Sequence, residues 1–88
     1  MKIKIVYTNK ALKDLDKLGL STARQIVKKI GFYSKKGNPL LCAKKLKPPF
    51  DDLFRFRIGD YRVIFEVDNK GNLSILTILM IKHRKDVY

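Results

Sequence analysis

Cysteine and histidine each occur once in these 88 residues, as Cys42 and His83, and eight carboxylates face twenty lysines and arginines. A lone cysteine rules out an intrachain disulfide, and with it the small secreted scaffolds that depend on several. Beside Ala43 it reads as a small apolar filler. One Cys and one His leave a structural zinc site short of ligands, so neither metal nor cofactor is expected. Long apolar runs are missing too. The longest, Ile75 to Ile81, is interrupted by Thr77 and falls well below the ~20 residues of a membrane-spanning helix. The opening MKIKIVYTNK carries lysines at positions 2 and 4 and lacks the apolar core of a signal peptide. The expected location is the cytoplasm, away from membranes.

What is present is positive charge. The formal net charge is +12, which costs a small folded chain self-repulsion unless a polyanion relieves it. From Lys17 to Phe50 there is no acidic residue, while Lys17, Arg24, Lys28, Lys29, Lys35, Lys36, Lys44, Lys45 and Lys47 are basic. Such a one-sign field draws in RNA, DNA or an acidic protein, whereas a surface selected for solubility usually mixes its charges. Apolar content of 45% in short, regular segments separates the chain from disordered polycations. Its length suits one domain spanning 1–88. A domain of this size buries little more than ~60% of its unfolded surface, so the core must be compact.

The patterning predicts an α+β domain. Residues 2–7 alternate with a period of two and read as a strand. Thr8 or Asn9 can cap a helix with Ala11, Leu12, Leu15 and Leu18 on one face, stopped at Gly19. A second helix starts at Ser21 or Thr22, where Thr22 and Gln25 have capping-box spacing, and continues through Ile26, Val27, Ile30 and Tyr33 with Gly31 as a weak point. It cannot pass Gly37, Asn38 and Pro39. Residues 40–52 read as a lysine-rich connector with at most a turn of helix. Three strands follow, 53–58, 61–67 and 73–81, the last apolar on both faces as a central strand would be. The expected architecture is a four-stranded, mostly antiparallel sheet formed by an N-terminal strand and a three-stranded meander, with a two-helix hairpin on one face.

The stretch RFRIGDYR, residues 55–62, concentrates the charge. A two-residue turn at Gly59-Asp60 pairs Ile58 with Tyr61 and Arg57 with Arg62, and a four-residue loop keeps the same pairing. Directly opposed Cβ atoms lie ~4.5–5.5 Å apart, and Arg55 shares the face of Arg57. Three guanidiniums therefore converge, with Glu66, opposite Leu53, as the nearest acid on that face. Alternation alone would leave arginines on the solvated side of a hairpin whose other side (Phe54, Phe56, Ile58, Tyr61, Val63, Phe65) forms the core. It does not explain why arginine is set against arginine, a pairing that a bound phosphate would relieve. The tail adds Lys82, His83, Arg84 and Tyr88, which bring a neutral-pH proton carrier, a phosphate ligand and a ring able to stack or move a proton.

The run LFRFRIGDYRVIFEVD (53–68), the closing HRKDVY (83–88), TNKALKDLDKL (8–18) and KKLK (44–47) resemble, in this order and spacing, the RelE family of bacterial toxins. The resemblance covers nearly the whole chain. It implies the toxin of a type II toxin–antitoxin pair, which cleaves mRNA in the ribosomal A site without metal and is neutralised by an antitoxin, RelB-like or of another class. By position it places Arg57 and Arg62 on the scissile phosphate with Arg55 and Arg84 in support, and His83 or Tyr88 in proton transfer or base stacking. Lys44, Lys45, Lys47 and Lys82 would contact RNA. With no suitable carboxylate pair and a single histidine, arginines would have to supply most of the electrostatic stabilisation. Two other readings remain open: the ParE branch of the superfamily, which shares the fold but poisons DNA gyrase, and a basic RNA- or DNA-binding module without catalysis.

Overall fold

The computed structural model describes residues 2–35 and 38–86. The predicted turn glycine Gly37 and the proposed catalytic Tyr88 lie outside them. Strand β1 (Lys2–Tyr7) leads into helices α1 (Asn9–Lys17) and α2 (Leu20–Ser34). A short 3₁₀ turn (Pro39–Cys42) then precedes β2 (Ala43–Lys45), β3 (Phe54–Ile58), β4 (Tyr61–Lys70) and β5 (Leu73–His83). Arg84–Asp86 form a last 3₁₀ turn. The sheet order is β1-β5-β4-β3-β2, with β1 parallel to β5 and the other pairs antiparallel.

The α+β class and the helix hairpin are as predicted, but the sheet has five strands where four were expected. The extra one is Ala43–Lys45, read from the sequence as connector. Three residues cannot display an alternation, and their strand character comes from pairing with β3, where Lys44 stands opposite Arg55.

Helix α1 starts where its sequence says it should. The Thr8 hydroxyl accepts the Ala11 N–H at 3.1 Å and donates to the Leu79 carbonyl at 2.9 Å, so one side chain caps the helix and ties it to β5. Helix α2 begins at Leu20, a residue or two early. Its cap is Gly19 at φ +86°, with no side-chain hydrogen bond, so the Thr22–Gln25 capping box does not form. The left-handed backbone at Gly19 lets two helices follow each other without a connecting loop. Gly31 does not interrupt α2.

Both helices cover the same side of the sheet. Ala11 and Leu15 from α1 and Ile26 and Ile30 from α2 are buried with Phe56, Val63, Phe65, Leu76, Ile78 and Ile81. Phe56 and Phe65 stack with ring centroids 4.4 Å apart, and Tyr33 joins at 5.0 Å from Phe56. Fully burying each such side chain contributes about 1.5–3 kcal/mol, which fixes the strand register. Cys42 packs at the margin of this cluster as a free thiol, the filler role expected of it. Among the described residues no helix is long and apolar enough to cross a membrane.

The β4–β5 ladder contains one irregularity. Ile64 pairs with Met80 but Phe65 pairs with Ile78, so Leu79 is skipped. The Thr8 hydroxyl bonds the carbonyl of this extra residue. Past it, β1 has ended at Tyr7, and the exposed edge of β5 is closed by α1: the Asp14 carboxylate accepts the Ile81 N–H at 3.0 Å. Asp14 is buried and also pairs with Lys10 at 2.5 Å. Burial pushes its carboxyl pKa up, but the Lys10 and Ile81 hydrogen bonds, with the charges of Lys10 and Lys17, outweigh that and hold it below the ordinary 3.8.

Candidate functional site

The side of the sheet away from the helices carries the arginines. Arg57 stands directly opposite Arg62, as the hairpin reading requires, and Arg55 lies opposite Ile64 two residues along. The pairs run on across the sheet, from Lys44 to Arg55 on β2 and from Arg62 to Lys82 on β5. Because paired residues share a face, Lys44, Arg55, Arg57, Arg62 and Lys82 all project from the open side.

Arg62 is the buried member, at 7% exposure. Its Nη1 donates to the Gly59 carbonyl at 3.1 Å and the Tyr61 carbonyl at 3.0 Å. The guanidinium is thereby folded back toward the β3–β4 turn, where Gly59 adopts φ +57°, a conformation that suits glycine. Burial lowers the Arg62 pKa, and the charges of Arg57, Arg55 and Arg84 lower it further, with Asp60 acting in the opposite direction. An arginine stays protonated through such a shift. Beyond burial, the like charges of Arg57, Arg55 and Arg84 beside it are what an incoming anion would relieve.

Arg84 enters this cluster from the C-terminal 3₁₀ turn. Its backbone N–H donates to the Asp60 carbonyl at 2.7 Å, and its Nε lies 3.6 Å from Asp60 Oδ1. The structure therefore brings together Arg55, Arg57, Arg62, Arg84, Lys82 and Lys44. Asp60 is the residue that sequence reasoning passed over. It was read only as half of a turn, and nothing local in the sequence announces a contact with residue 84.

Three proposed residues fall elsewhere. His83 pairs with Tyr61, so it faces the helix side, across the sheet from Arg62 and Lys82. There the Tyr61 and His83 rings meet edge-on at 5.4 Å, and the Lys85 N–H donates to His83 Nδ1 at 3.2 Å. Lys10, Asp14 and Lys17 line the same shallow cleft. The expectation that His83 joins the arginines is corrected by this register. Lys45, opposite Phe54, likewise points to the helix side, though it is exposed, and Lys47 lies beyond β2 in the turn closed by a Phe50 N–H bond to its carbonyl. Among the described residues no three of His, Cys, Asp and Glu gather as a metal site would need.

What the open face can do follows from its chemistry. Guanidiniums present fixed donor pairs to phosphate oxygens and keep their charge at any physiological pH. Backbone pairing sets the strand positions from which they project, so their charge gathers on one face, where a phosphodiester or its more highly charged transition state would be stabilised.

Comparison with known proteins agrees with this fold. The family model described as the ParE toxin of the type II toxin–antitoxin system parDE matches residues 5–88. Toxin RelG of Mycobacterium tuberculosis is 29% identical over 82 residues, covering 93% of this chain and 91% of that protein. The toxin–antitoxin complex RelBE2 of M. tuberculosis contains a chain that matches at a TM-score of 0.78 and 26% identity, over 96% of this chain and 100% of that one. The archaeal RelE–RelB complex of Pyrococcus horikoshii contains another, at a TM-score of 0.72 and 28% identity, over 99% and 100%.

Proposed function

This chain belongs to the ParE toxin family of type II toxin–antitoxin systems, within the RelE/ParE superfamily, and on that premise we propose that it is an mRNA endoribonuclease acting in the ribosomal A site. The observation that carries this reading is the directly opposed Arg57–Arg62 pair with Arg55 and Arg84 beside it, facing the carboxylate of Asp60. A surface meant only to stay in water gains nothing from burying Arg62 among like charges, whereas a phosphate site gains a preformed cradle.

In this reading the 2′-oxygen of the message attacks the adjacent phosphorus, the bond from phosphorus to the 5′-oxygen breaks, and a 2′,3′-cyclic phosphate and a 5′-hydroxyl result. Arg57 and Arg62 hold the non-bridging oxygens as charge builds on them, with Arg55, Arg84 and Lys82 adding to the field. Lys44 binds a neighbouring phosphate. Proton transfer falls to Tyr88, carried over from the RelE resemblance, since His83 faces the other side of the sheet. The partner that restrains the toxin is an antitoxin of RelB type, as in the two complexes to which the chain is similar.

The family description favours a second reading, inhibition of DNA gyrase, which the ParE branch performs on the same fold. One pair of assays separates the two. Adding purified protein to translating ribosomes and mapping mRNA 5′ ends should reveal cuts within the A-site codon, while gyrase supercoiling proceeds unimpaired. Intact message with blocked supercoiling would move the chain to the gyrase reading.

A further inference from the structure

Asp60 contributes both a carbonyl and a carboxylate to one partner. The carbonyl accepts the Arg84 backbone N–H at 2.7 Å, and the carboxylate lies 3.6 Å from Arg84 Nε, with the two side chains 63% and 55% exposed. Neighbouring residues of the same turn hold Arg62, whose Nη1 is bonded to the Gly59 and Tyr61 carbonyls. The β3–β4 turn thus grips two arginines, one from its own hairpin and one from the residue that follows β5. Arg84 has an electrostatic reason to leave, since it and Arg62 repel each other and its own side chain reaches solvent.

We propose that Asp60 is a positioning residue, whose carboxylate holds the Arg84 guanidinium in the arginine cluster against the repulsion of its neighbours so that four guanidiniums meet one phosphate. The proposal rests on the nuclease reading, and it gives that site a specific means of assembly: the hairpin turn docks the tail. It also carries a cost, because a carboxylate beside the cluster weakens the pull on RNA. Binding and cleavage should therefore move in opposite directions when Asp60 loses its charge. A counter-ion that merely damped the field would move both the same way, and a merely structural residue would show itself in the melting temperature.

The Asp60→Asn variant keeps the backbone bond to Arg84 and removes only the charge. On translating ribosomes it should cleave about 2- to 5-fold more slowly than wild type, the factor that an exposed ion pair is able to supply. It should bind a single-stranded RNA with a 2′-deoxy sugar at the scissile position at least as tightly, and it should melt at the wild-type temperature. In ¹⁵N-labelled protein the Arg84 Nε–H resonance should move to the position of a solvated arginine, and Asp60→Glu should restore both signal and rate in part. Cleavage by Asp60→Asn as fast as wild type or faster, or an Arg84 resonance that does not move, overturns the proposal. Should wild type itself leave mRNA uncut, the nuclease reading fails separately, and the Arg84 resonance alone decides whether Asp60 holds it.

Discussion

On the helix side of the sheet Phe56, Val63, Phe65, Leu76 and Ile78 are wholly buried, while on the other side the same strands β3 and β4 present Arg55, Arg57 and Arg62. Phe56 lies between two arginines in sequence, and Val63 follows one directly. Alternation lets a five-residue strand serve two opposed purposes, because consecutive side chains never meet. One face is fixed by apolar burial and holds a charge only where, as at Asp14, hydrogen bonds satisfy it. The other carries charge that folding alone does not ask for, and is tolerable because the apolar face pins the backbone. Stability and activity should therefore be separable by substitution at adjacent positions.

The largest expected effect attacks the helix side. Phe56→Ala should cost about 3–5 kcal/mol, a large share of the ~5–15 kcal/mol that holds a domain of this kind, with urea unfolding as the readout. Six residues along, Arg62→Ala should leave stability within ~1 kcal/mol of wild type, since lost bonds to Gly59 and Tyr61 are offset by relief from Arg57. It should nevertheless slow mRNA cleavage about 10²- to 10³-fold, the usual consequence of removing one donor to a charged transition state.

A smaller effect follows from Asp14, which supports the helix side alone. Asp14→Ala orphans the Ile81 N–H at a cost of about 1–3 kcal/mol. Because the folded-state pKa lies below 3.8, the ionised carboxylate stabilises the fold above that pH, and the contribution fades as the pH falls through the lower folded value. Urea midpoints followed downward from neutral pH should drop below pH 3.8 in wild type more steeply than in the variant. The smallest effect belongs to the margin of the open face. Lys44→Ala should weaken RNA binding uniformly across sequences and reduce the slope of log affinity against log salt by about 1.

The hairpin was legible in the sequence because a tight turn fixes the sum of paired residue numbers, and Arg57 then has to face Arg62. The helix side was legible for the same reason, as every second residue from Phe54 to Phe65 is apolar outside the turn. Where His83 points was not. From Lys70↔Leu73 to Phe65↔Ile78 the paired numbers sum to 143, which if continued would set Arg62 against Ile81 and place His83 on the arginine face. Skipping Leu79 raises the sum to 144, so Lys82 meets Arg62 and His83 meets Tyr61. That skipped residue is held by Thr8, seventy-one positions away, and no local pattern encodes such a bond. The same holds for β2, which exists only because β3 lies beside it, and for the Asp60–Arg84 contact.

Primer extension on message recovered from translating ribosomes, with wild type and Arg62→Ala compared at equal folded concentration, tests the open face most directly. Cuts confined to the A-site codon with wild type and absent with Arg62→Ala are the expected result. Message left uncut by wild type, or cut equally by the variant, would contradict a phosphate site built on Arg57 and Arg62.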